Sequence, residues 1–75
     1  MTKNRKIAVY LEPGEPLTKG TQMAFCSDYG CDITHLGTEG KRRFFIAEPQ
    51  KKKPIPTKDQ ITSNYPIVDE VRRLV

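Results

Sequence analysis

The sequence contains no tryptophan, a single histidine (His35) and two cysteines, Cys26 and Cys31. Each scarcity removes a class of chemistry. One histidine beside two cysteines gives three soft ligands, whereas a structural zinc site takes four, normally as short-spaced pairs. The sequence therefore predicts no bound metal and no other cofactor, and the cysteines read as thiols rather than as a disulfide framework. His35 follows Cys31 by four residues. On a strand that spacing puts both on one face but ~13 Å apart, too far for a base to activate a nucleophile. "EPGEPLTKG" is glycine-bearing but lacks the lysine-serine/threonine ending of a phosphate-cradling loop. The chain thus reads as non-enzymatic. Long apolar runs are missing too. Nothing approaches the ~18 residues needed to cross a membrane, and "IAVYL" is too short for a signal-peptide core. The expectation is a cytoplasmic protein without a membrane partner.

What is present is basic charge, unevenly placed. The net charge is +4, yet residues 41–58 hold seven bases against one acid, and residues 21–40 hold three acids and no base. Such asymmetry argues for an anionic partner.

Seventy-five residues make one domain. Residues 1–6 form a basic arm, 7–48 a β-sheet, 49–56 a basic proline-rich linker, and 57–75 a helical C-terminus. In "IAVYLE", Ile7, Val9 and Leu11 alternate with Ala8 and Tyr10, a period of two. "TQMAFC" alternates through Met23 and Phe25, "CDITHL" through Cys31, Ile33 and His35, and "KRRFFIAE" supplies a fourth strand. Short turns between them predict an antiparallel meander. Thr57 and Gln60 match a capping box and start a turn or two of helix. In "PIVDEVRRLV" a stripe of Ile67, Val68, Val71, Leu74 and Val75, with acids early and arginines late, predicts a final helix packed on the sheet. The fold class is α+β: a four-stranded antiparallel meander with one C-terminal helix, or alternatively a partly closed barrel of the SH3 or OB kind.

The candidate partner-binding residues are Lys3, Arg5 and Lys6 of the arm, Lys41, Arg42 and Arg43 of the fourth strand, and Lys51, Lys52 and Lys53 of the linker. Phe44 shares a face with Arg42 and Ile46, so Phe44 and Tyr10 are the candidates for stacking against a base. Arginines on an ordered strand can make bidentate contacts, while linker lysines contribute mainly long-range attraction. With few aromatic residues, docking on a protein of a nucleic-acid-handling machine is favoured over direct RNA or DNA binding. A small redox or metal protein built on Cys26 and Cys31 is the third reading.

A basic chain of this size, with the arm "TKNRK", a small sheet and a short terminal helix, resembles the small phage-encoded regulators that bind host RNA polymerase. The resemblance is one of layout. It implies binding to polymerase subunits in the bacterial cytoplasm and modulation of transcription.

Overall fold

The computed structural model describes residues 5–74. Its elements in chain order are β1 (Ile7–Leu11), α1 (Lys19–Tyr29), β2 (Cys31–Glu39), β3 (Arg42–Pro49), α2 (Lys58–Asn64) and β4 (Val68–Arg73). The strands form one antiparallel sheet in the order β2-β3-β1-β4. The molecule is α+β, with the β-α-β-β-α-β succession of the split-βαβ, ferredoxin-like arrangement. Among the described residues β2 and β4 each pair on one side, so the sheet is open and is not an SH3- or OB-like barrel. It is not a meander either. Only β2 and β3 form a hairpin, and β1 lies between β3 and β4.

The period of two in β1 is real and explains its central place. Ile7, Val9 and Leu11 face the helices, Ala8 and Tyr10 face the other way, and all five are buried. On the helix side, Phe45 and Ala47 of β3 lie opposite Val9 and Ile7. Phe25 of α1 meets Phe45 edge-on at 4.9 Å, and Ile61 of α2 completes the core. Among the described residues no helix covers the opposite sheet face.

Two expected elements are corrected. "TQMAFC" is not a strand; it lies inside α1. The Thr18 hydroxyl accepts the Thr21 N–H at 3.1 Å and caps the helix start. Gly30 ends it at φ 61°, a left-handed cap. The alternation of Met23 and Phe25 had no structural meaning, since Phe25 is buried and Met23 is 64% exposed. The single C-terminal helix is also absent. "VDEVRR" is β4, hydrogen-bonded to the edge of β1. The β-branched residues Ile67, Val68 and Val71 favour strand over helix, and α1 with α2 already occupies the face a further helix would cover. The capping box at Thr57 is present, with the Gln60 N–H on the Thr57 hydroxyl at 3.2 Å and the Gln60 side chain accepting the Thr57 N–H at 2.9 Å.

Both edge strands are bulged. In β2 the register skips Thr34, and in β4 it skips Asp69. Each bulge lets residues three apart face the core side: Ile33 opposite Ala47 with Leu36 opposite Phe45, and Val68 opposite Leu11 with Val71 opposite Val9.

Candidate functional site

Arg42, Tyr10 and Phe44 do meet on the helix-free face, as their strand positions require. Tyr10 and Phe44 are cross-strand partners with ring centroids 5.0 Å apart. The Tyr10 ring, however, is closed over by cations. Arg42 lies 4.7 Å and Arg72 4.9 Å from its centroid. Both guanidiniums are tied to acids. Arg42 bonds Asp69 at 3.0 Å and Glu70 at 2.9 Å, and Arg72 bonds Glu70 as well. The β4 bulge makes the double contact to Arg42, because the extra residue brings Asp69 and Glu70 to the same cation. Hydrogen bonds from Arg72, then from Arg42, hold the Glu70 carboxyl down at about 2. The Tyr10 hydroxyl donates to Glu39 at 2.9 Å, and that bond raises its pKa. This face is therefore a closed aromatic and ionic network, and Tyr10 is only 6% exposed.

The two basic triplets are separated by the length of β3, eight residues or roughly 25 Å. Lys41 and Arg43 stand at the hairpin end. There the Lys41 carbonyl accepts the Gly14 N–H at 3.1 Å, and Arg43 donates to the Glu15 carbonyl at 3.3 Å. Lys51, Lys52 and Lys53 stand at the other end, where β1 begins and β4 ends.

That second end is built, not merely charged. The Gln50 N–H bonds the Gly30 carbonyl at 2.9 Å, and the Lys53 N–H closes a turn on the Gln50 carbonyl at 3.0 Å. Lys52 sits at φ 70°, in the left-handed region. Arg5 reaches across and donates to the carbonyls of Gln50 and Lys53. The Lys53 stem lies against Gly30, 3.1 Å from where a β-carbon there would stand. Arg73 pairs with Ile7, and the Lys6 carbonyl accepts the Leu74 N–H at 3.0 Å, which brings both residues to the same end. Lys51, Lys52, Lys53 and Arg73 are exposed. Two acids stand nearby, Asp32 opposite Glu48 on the adjacent strands. Of the arm's cations, Arg5 and Lys6 belong to this end, and Lys3 lies outside the described residues. The sequence did not mark Arg73 as a member, because it placed that residue on a helix.

Cys31 adjoins this end, next to Gly30 and opposite Pro49, within electrostatic reach of Arg5. Cys31 is buried in the core, and burial, then neighbouring Cys26, pushes its pKa up to about 11. Cys26 is half-buried on α1, and both are free. The β2 bulge puts Cys31 on the core side and His35 on the open face, where its ring is 6.2 Å from Phe44. The shared face expected of Cys31 and His35 is thus corrected. Among the described residues no group of three or more His, Cys, Asp or Glu side chains could hold a metal ion, and no helix is long and apolar enough to cross a membrane. Comparison with known proteins gives no match: no family model fits the chain, and neither a curated protein nor a solved structure matches it.

Proposed function

We propose that this protein is a non-enzymatic interaction module that docks its cationic end on an anionic surface of a nucleic-acid-handling machine. The resemblance in layout now rests on the basic arm and the small sheet, since the terminal helix is β4; on that ground the partner proposed is host RNA polymerase and the outcome modulation of transcription. One observation carries the docking reading: the fold gathers Arg5, Lys6, Lys51, Lys52, Lys53 and Arg73 at one end of the sheet, from three separate stretches of sequence. Lysines on a hydrogen-bonded turn lose less freedom on binding than lysines on an open linker, so the turn strengthens what the charge alone would do. Base stacking on the sheet is the weaker route, because Arg42 and Arg72 already cover Tyr10 and are neutralised by Asp69, Glu39 and Glu70 nearby.

The test is capture of partners from bacterial lysate on the immobilised full chain, with and without nuclease, alongside a variant carrying Lys51→Gln, Lys52→Gln and Lys53→Gln. The expected result is a protein partner that survives nuclease and is lost or strongly reduced on the variant. With the purified partner, the variant should associate more slowly and with a flatter salt dependence. Disappearance of all captured protein on nuclease treatment would replace docking by direct nucleic-acid binding. Equal capture by the variant would remove the lysine turn from the interface.

A further inference from the structure

The docking surface uses neither thiol, yet the fold brings the two to one place. Cys26 opens the last turn of α1, and its carbonyl accepts the Gly30 N–H that closes the helix. Cys31 is the first residue of β2. The pair therefore flanks the left-handed Gly30 cap, in the positions whose side chains frequently touch across such a cap. Both residues face the layer between α1 and the sheet. On α1, Thr21, Gln22, Phe25, Cys26 and Tyr29 are withdrawn from solvent, a stripe at helical spacing. On β2, Cys31 and Ile33 stand on the helix side, opposite Pro49 and Ala47. A helix rises ~1.5 Å and a strand ~3.3 Å per residue, which sets Cys26 ~6 Å back from the turn, between the levels of Cys31 and Ile33. The Cys31 thiol donates to the Tyr29 carbonyl at 3.6 Å, so its sulfur lies against the same last turn of α1. Cys26 and Ile33 in turn line one groove of about 390 Å³ that opens to solvent beside α1. One sulfur is thus reachable from outside, and the other waits behind it in the core.

We propose that Cys26 and Cys31 form a dithiol site that exchanges with small-molecule disulfides and closes reversibly to an intramolecular disulfide. The half-buried Cys26 acts first. Its thiolate attacks one sulfur of the small disulfide in the groove, the S–S bond breaks, and one thiolate leaves with the electron pair. A mixed disulfide on Cys26 remains. Cys31 then gives up its proton to water, and its thiolate attacks the Cys26 sulfur and expels the second small thiolate. Two protein thiols are oxidised, one small disulfide is reduced to two thiols, and the protons lost by the cysteines are taken up by the leaving thiolates. Burial pushes the Cys31 thiol up to about 11. Its thiolate is therefore scarce at neutral pH, and closure quickens as the pH rises.

Equilibration of the full chain in glutathione buffers of graded composition, with acid quenching and intact-mass measurement, tests this. The expected product is a monomer that has lost two hydrogens, in which both cysteines resist alkylation together and dithiothreitol restores both. Cys31→Ala should stop at the mixed disulfide, with one glutathione on Cys26. Cys26→Ser should take up glutathione about tenfold more slowly than Cys31→Ala, or slower still, because its remaining sulfur is buried. The closing equilibrium of the parent should lie about tenfold or more further towards the disulfide in the native protein than in urea, because the folded cap holds the two sulfurs together. That comparison needs no variant, so it stands even where a substitution in the core impairs folding. A parent that stays reduced, that accumulates glutathione without closing, or that crosslinks between chains overturns the proposal. So does an equilibrium no more favourable in the native state than in urea. Equal uptake by the two single variants would overturn the order of attack.

Discussion

Phe44 lies across Gly37 of the neighbouring strand so closely that a β-carbon there would stand 2.6 Å from the ring. Glycine inside a strand ordinarily costs roughly 0.5–1 kcal/mol relative to alanine. Here the contact reverses the sign. A side chain at residue 37 must push Phe44 off its bed and away from Tyr10, and overpacking of this kind costs ~1–3 kcal/mol. Gly37→Val should therefore destabilise the protein by about 1 kcal/mol or more in urea unfolding, despite the better strand propensity of valine; equal or higher stability would mean that Phe44 moves freely. The alternation of "RRFFIA" was enough to place Arg42 and Phe44 on one face with Arg43 and Phe45 on the other, and the structure agrees. What that stretch could not reveal is that Arg42 is held by Asp69 and Glu70, twenty-seven and twenty-eight residues later. Those acids were legible only as the start of a helix, and the misread element hid the ion pairs.

Elements were readable where a local mechanism fixed them and unreadable where a bulge altered the period. The capping box at Thr57 is a contact between residues three apart and survives any tertiary context. Thr57→Ala should cost ~1 kcal/mol through the lost cap, seen as a lower thermal midpoint, with Thr57→Ser close to the parent. β4 shows the opposite case. Val68 and Val71 both face the core because Asp69 is an extra residue between them, and a spacing of three is what a helix would show. One inserted residue thus imitated helical periodicity. In α1 the error ran the other way: a mostly exposed helix buries Phe25 alone, so its apolar pattern was too thin to outweigh a chance alternation. Misassigning α1 removed the crossover that sends β2 to the far edge, and the meander followed from that mistake. The α+β class, β1, β3 and the strand at residue 31 were nonetheless correctly read.

For the molecule as a whole, the Arg42–Glu70–Arg72 network makes stability depend on acid. The Glu70 carboxyl titrates at about 2 in the folded protein against an ordinary 4.5. A depressed carboxylate contributes stability that is complete above its unfolded pKa and is lost as pH falls towards the folded one. The unfolding midpoint in urea should therefore drop between pH 4.5 and pH 2, and Glu70→Gln should show a smaller drop across the same window; identical profiles would remove Glu70 from the balance. The cationic end was legible as charge in the sequence, but its assembly was not, because Arg5, the lysine turn and Arg73 meet only through the insertion of β1 between β3 and β4. That same insertion has a topological consequence. Residues 6 and 74 share a backbone hydrogen bond, so the start of β1 and the end of β4 lie side by side. The order of elements can then be rotated without redrawing the sheet. A short bridge from residue 74 to residue 6 and a cut at the Gly40–Lys41 turn would give a circular permutant that begins at β3, ends at β2 and retains every strand pairing.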